Sequence, residues 1–414
     1  MGTPRWIPRR SAALAMIAAF VLTACAPGAG TTTPATSAGT ATTAATAESV
    51  PATFRNDMRR LWEDHIMWTR LYIVSFAAGL PDADAVAERL LQNQTDIGNA
   101  VKPFYGEEAG NQLTALLEEH ITGAVDVLTA AKAADTAGLE QANAAWADNG
   151  RRIAEFLSRA NPDNWPLDTL QQEMQMHLDL TLNEASAHLS GDTAADVAAY
   201  EEVHEHILKF ADTLSQGIIS QFPDQFAAED ELAADAGTFT ADMRKLWTDH
   251  VFWTRLYIVS FAAGLPDAES VAERLLQNQA DIGNAIKPFY GEEAGNQLTA
   301  LLEEHIAGAV DLLTAANASD AAGLEQANTA WADNGKRIAE LLNTANTDNW
   351  PLDTLQQEMQ MHLDLTLDEA SAHLSGDTAG SIAGFDEVVT HIMGFSDVLS
   401  NGIISQFPEE FGGS

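Results

Sequence analysis

Cysteine is almost missing from this chain: Cys25 is the only one among 414 residues. No intramolecular disulfide and no thiolate metal cluster is therefore possible. Positive charge is scarce as well, with 21 Lys and Arg against 60 Asp and Glu, for a formal net charge of −39. Phosphate backbones are held by clustered Lys and Arg, so nucleic acid is excluded as an expected partner. Runs of alternating β-branched residues and Asn-Gly hairpins are lacking, which leaves no strand signal. Neither a Gly-rich nucleotide loop nor a Gly-x-Ser-x-Gly nucleophile motif occurs, so catalysis is not the expectation.

What the chain has instead is itself, twice. Pro103–Ile121 recurs letter for letter as Pro288–Ile306, and Asn164–Leu182 recurs as Asn349–Leu367. The register is an offset of 185 residues, His65 answering to His250. Each copy, 52–226 and 238–411, is long enough to bury a core of its own, so the expectation is a tandem of two domains. An acidic linker, 227–237, joins them.

The first 24 residues read as a signal peptide. Arg5, Arg9 and Arg10 precede an apolar stretch at Ala12–Leu22 that is too short to span a bilayer as a mature helix. The ending Leu22-Thr23-Ala24-Cys25 resembles a bacterial lipobox, which implies lipidation of Cys25 and an extracytoplasmic, membrane-anchored protein. Residues 25–51 are mostly Ala, Thr, Gly, Pro and Ser, a tether with a reach on the order of 25–30 Å.

Within a copy, apolar residues recur at intervals of three and four, the period of amphipathic helices. The punctuation gives helices at 54–79, 83–102, 108–133, 137–159, 166–190 and 193–221, with Pro103 to Gly106 separating the second from the third. The expected fold is all-α: two tandem antiparallel bundles of about six helices each.

Three of these apolar seams carry a histidine near mid-helix, at His65, His120 and His177. His206 stands at the edge of the seam of the last helix, and the second copy repeats the set with His250, His305, His362 and His391. Mid-points of antiparallel helices meet at one height, which puts up to four imidazoles in a central layer. Buried polar rings need partners, and a transition metal is one that several imidazoles share. Glu119 and Glu184, with Glu304 and Glu369 in the second copy, are candidate carboxylates for the same centre. Zinc, copper, iron and nickel all suit the ligand type, and Met174 and Met176 tilt the choice towards copper. The copies prune other options: Glu63, His204 and Glu205 become Thr248, Val389 and Thr390, so no site common to both needs them. Loss of His204 also removes the pair Glu201-x-x-His204 from the second copy, and neither copy has the full carboxylate and Glu-x-x-His set of di-iron bundles. Arg70, within reach of the central layer, is expected to form a buried pair with Asp96, the alternative being a polar pocket for a small anion or solute. Asn149 lies on the fourth seam with no assigned role.

Leu61-Trp62, His65 and Trp68-Thr69-Arg70, with Asn93-Gln94, Asp96-Ile97-Gly98, His177-Leu178, Thr181, Gly217-Ile218-Ile219 and Gln221-Phe222-Pro223, form a distinctive set. It resembles a group of small bacterial helical proteins that hold a single such unit. The resemblance implies the bundle fold and brings no activity with it. The functional expectation is a tethered binding protein holding a transition metal or small ligand in each bundle. A purely structural or interaction protein of the cell envelope is the alternative.

Overall fold

The computed structural model describes residues 50–226 and 234–412. The expected leader, Cys25, all of the expected tether up to residue 49 and most of the linker lie outside them. Among the described residues every regular element is a helix. None is long and apolar enough to cross a membrane. Contacts divide the chain into two units that follow the duplication, with the short stretch Ala263–Arg274 grouped with the first.

The first unit comprises α1 (Val50–Ala78), α2 (Ala83–Lys132), α3 (Thr136–Ala160), α4 (Leu167–Ser190) and α5 (Thr193–Gln221), closed by a 3-10 turn at Pro223–Gln225. The second comprises α6 (Ala234–Ala263), α7 (Ala268–Ala318), α8 (Ala321–Ala345), α9 (Leu352–Ser375) and α10 (Thr378–Gln406), closed by Pro408–Phe411. The punctuation acts as expected. Gly191 ends α4 in the left-handed region at φ 76°, and the Asp192 side chain accepts from Ala195 N–H to cap α5.

One expected break takes a different form. Residues 83–102 and 108–133 are joined as the single element α2, which runs through Pro103 and turns at Gly106, where φ is 82° and ψ 168°. Proline withholds an N–H from the helix ladder, and only glycine adopts that φ cheaply. The turn is a reversal. A Cβ built on Gly98 would stand 2.7 Å from the carbonyl oxygen of Gly110, whereas twelve residues of straight helix span about 18 Å. Six rods per unit are thus built from five elements, and α7 repeats the reversal at Gly291.

In the first unit α1 packs on α2 and α5, α2 on α3, α3 on α4, and α4 on α5, which closes the ring. The tryptophans are core: Trp62, Trp68, Trp146 and Trp165 are all buried. The aromatic motifs at the chain reversals form one end cap, where Phe104 stacks on Phe226 and contacts Phe54 and Phe222. Gly217 is set by close approach, since a Cβ there would meet the Trp165 indole at 2.0 Å. Within the set that carried the resemblance, Trp62, Trp68, Gly217 and Phe222 are accounted for by packing.

Candidate metal centre

His65 on α1, His120 on the second arm of α2 and His177 on α4 converge. One ring nitrogen from each lies within 4.8 Å of the others, and all three residues are buried. Ring centroids are 6.2 Å apart for His65–His120, 5.6 Å for His65–His177 and 5.7 Å for His120–His177. His250, His305 and His362 repeat the arrangement, again with ring nitrogens within 4.8 Å of one another. A metal bound at about 2 Å needs its nitrogens roughly 3.3–3.6 Å apart, so closing on an ion requires side-chain shifts of no more than about 1 Å.

Neighbouring groups fix the orientation of the rings. Trp146 donates its indole N–H to the His120 carbonyl at 2.9 Å and packs its ring against the imidazole. Asn149 gives its amide N–H to the Leu116 carbonyl, so its Oδ1, 3.1 Å from His120 Nδ1, is an acceptor. His120 must therefore carry its proton on Nδ1, leaving the Nε2 lone pair for the centre. His305 and Asn334 do the same in the second unit. Gln279 works alike on His250: its N–H groups go to Leu275 O and Asn278 Oδ1, and its Oε1 lies 3.1 Å from His250 Nδ1. Gln94 occupies the corresponding seat beside His65 with looser geometry, and still favours the protonated ring. An outer acceptor that holds one ring N–H and turns the other nitrogen inward is the usual support of a metal-bound imidazole, and here an amide oxygen takes that place. His65 Nδ1, His177 Nδ1 and His362 Nδ1 have no hydrogen-bond partner.

The rings are neutral at physiological pH. Burial pushes His65 down to about 3 and His120 to about 4, helped at His65 by the nearby His120. In the second unit burial takes His250 to about 4 and His305 to about 3. His177 and His362 lie well below the ordinary value, through burial first and then their neighbouring imidazoles. Neutral imidazole is the form that binds a metal.

The cavity that the triad faces is small, about 20 Å³ in the first unit and about 10 Å³ in the second. A single water needs roughly 10–15 Å³ measured in this way. Each centre thus has the size of one ion or one water, and neither a porphyrin nor an organic substrate fits. Thr69, Thr181 and Glu184 complete the polar lining in the first unit, and Thr254, Thr366 and Glu369 in the second.

Other expected participants stand elsewhere. Glu119 and Glu304 point to solvent and pair with Arg152 and Arg337. Adjacent helix residues differ by about 100° in direction, so the neighbour of an inward histidine faces out. Glu184 and Glu369 are at the cavity but are engaged by Arg70 and Arg255. Arg70 does not reach Asp96, which takes a bond from Gln92 on the exposed face. It grips Asp196 with both terminal nitrogens, at 2.6 and 2.9 Å, and Glu184 at 3.1 Å. His206 and His391 stack on His177 and His362 at 6.0 and 6.2 Å but stand outside the convergent trios. Met176 is half exposed, and Met174 packs beside Gly150, so the tilt towards copper has no support in the geometry. Sequence reasoning placed Asn149 on a seam without seeing its purpose. The signal was available, since a buried amide on an apolar face across from a histidine is an orienting group.

Comparison with protein families, with curated proteins and with solved structures finds no match.

Proposed function

We propose that each unit holds one transition-metal ion on its three buried imidazoles, and that the protein stores, buffers or delivers that metal. The observation that carries this reading is the convergence, in both units, of three neutral ring nitrogens from three rods, with an amide holding the outer nitrogen of one ring in the first unit and of two in the second. Three nitrogens with no carboxylate or thiolate free to join them suit zinc, copper, iron or nickel, and not calcium or magnesium, which take oxygen. A water-sized cavity favours an ion over a small organic ligand. Lipidation at Cys25 would moor both centres at the extracytoplasmic face of a membrane, and the acidic surface would concentrate cations around them.

Elemental analysis of the full chain purified without chelator, followed by thermal unfolding with added Zn²⁺, tests the reading. Up to two equivalents per chain and a rise in Tm are expected, since an ion that binds only the folded form stabilises it. Metal-free protein whose Tm ignores every first-row cation would leave the alternative, a structural or interaction protein in which the histidines serve only packing.

A further inference from the structure

Asp267 is 2% exposed, yet neither oxygen of its carboxylate has a hydrogen-bond partner. It directly precedes α7, a position where an aspartate ordinarily accepts a backbone N–H of the first turn. That cap is not made. A side-chain oxygen lies instead within 4.8 Å of a ring nitrogen of His188 and of a carboxylate oxygen of Asp196. The stretch Ala263–Arg274, which packs with the first unit, holds it there. The hydroxyls of Thr193 and Ser270 meet at 2.7 Å, and Arg274 grips the Glu201 carboxylate through two bonds of 3.0 Å. His188 Nδ1 stands 2.9 Å from Asp196 Oδ2, and Asp196 is bonded to Arg70, which also serves Glu184. One guanidinium thus stands among three buried carboxylates and bonds only two of them. A buried carboxylate without a partner is strongly destabilising, so the cluster is short of positive charge.

We infer that His188, Asp196 and Asp267 form a third cation site, one that takes a divalent ion of the Mn²⁺ class. Two carboxylates and one imidazole are a harder ligand set than three imidazoles, and oxygen-rich sets suit Mn²⁺. Metal–oxygen and metal–nitrogen bonds run at about 2.0–2.2 Å, so the three ligand atoms close on an ion after shifts of about 1 Å. His188 is the point of entry, its side chain being 11% exposed where that of Asp196 is fully covered. The site fills after the triads, since Asp196 already shares its charge with Arg70, and it does not depend on them. It belongs to the first unit alone, because the second carries Ser381 in place of Asp196. Asp82, the counterpart of Asp267, is also buried and unpartnered, but among the described residues it joins no such cluster.

Electron paramagnetic resonance of Mn²⁺ added to the full chain carrying two equivalents of Zn²⁺ tests this, at high salt to screen the acidic surface. One Mn²⁺ per chain is expected to bind, with nitrogen modulation from a single imidazole. Asp267→Asn, which keeps the shape of the side chain, is expected to weaken binding at least tenfold, and His188→Ala to remove the nitrogen signal. Asp82→Asn, which removes the equivalent buried carboxylate, is expected to leave binding unchanged. Circular dichroism checks that each variant keeps its helicity. The same single Mn²⁺ is expected without Zn²⁺ in His120→Ala with His305→Ala, so failure of the triads and failure of this site are told apart. Absence of bound Mn²⁺ overturns the inference and leaves a second proton on His188 as the cation between the carboxylates. Binding that ignores Asp267→Asn assigns the ion to the acidic surface, and that overturns it too.

Discussion

The two units are nearly one sequence, so the places where they part are informative. The first has two histidine–carboxylate pairs that the second lacks. Glu63 meets His204 Nε2 at 2.7 Å, and Asp196 meets His188 Nδ1 at 2.9 Å while gripping Arg70. Their counterparts in the second unit are Thr248 with Val389, and Ser381 beside His373. Around the triads the contrast is reversed. Every residue lining the second cavity has its counterpart in the first, and only Ile66, as Val251, differs in identity. The changes fall on α1 and α5, and α1 carries His65, so they mark what the bundle can lose without disturbing the centre. The Glu63–His204 pair went as a whole, and a buried pair is dispensable when both partners go together. Three converging imidazoles are not exchanged for anything.

Acid should separate the units most strongly. A histidine kept neutral by the fold but protonated when unfolded stabilises the protein above its unfolded pKa of about 6.5, and that stability is lost as pH falls towards the folded value. Three such rings per unit, His65 at about 3, His120 at about 4 and His177 well below the ordinary value in the first, cost roughly 4 kcal/mol per pH unit below about pH 6.5. Glu184, lifted by burial to about 7, works the other way: it gains a proton in the folded state first and offsets part of the loss between pH 7 and the carboxylate range. In the second unit burial and Arg255 hold His373 at about 3, which adds a fourth deeply shifted ring. Hydrogen exchange resolved by peptide should show both units opening between pH 6 and 4, the second at the higher pH. The same midpoint in both would break the comparison.

Removing the buried arginine is the next largest perturbation. Arg70→Met strands Glu184 and leaves Asp196 with His188 as its remaining partner, whereas Arg255→Met strands Glu369 alone. Urea unfolding should show losses of about 3–5 kcal/mol, with the larger in the first unit. Smaller effects come from the ion pair that only the first unit has. His204→Val alone leaves Glu63 buried opposite a hydrocarbon and should cost roughly 1–3 kcal/mol. Glu63→Thr added to it reproduces the second unit and should restore most of that stability. A double variant as weak as the single would contradict the claim that the pair is dispensable.

The fold was legible because its signals are local. Three-and-four spacing, Gly191-Asp192 and the break before Gly106 each mark a boundary through their own backbone chemistry. The height of the histidine layer was legible too, since antiparallel rods of similar length bring their centres level. What the sequence could not show was direction around each rod beyond the seam. Glu119 follows the wrong face by one residue. His206, at the edge of its seam, turns to Glu173 in preference to the centre. Arg70 chose Asp196, 126 residues away in the chain, over the nearer Asp96. The choice among carboxylates at similar depth depends on helix rotation and crossing angle, which periodicity does not encode.

The smallest predicted difference concerns the ion itself. The buried network beside the first triad carries Asp196 where the second carries Ser381, so a cation in the first centre gains one further nearby negative charge. Asp196→Ser should weaken the first site by a few-fold, on the order of 1 kcal/mol, and calorimetric titration should then merge two affinities into one.

X-ray absorption at the metal edge of the loaded chain tests the central claim most directly. The account predicts three imidazole nitrogens per metal at about 2.0–2.1 Å, with the signal halved by His120→Ala or His305→Ala and abolished by both. A shell made only of oxygen, or one indifferent to either substitution, would contradict it.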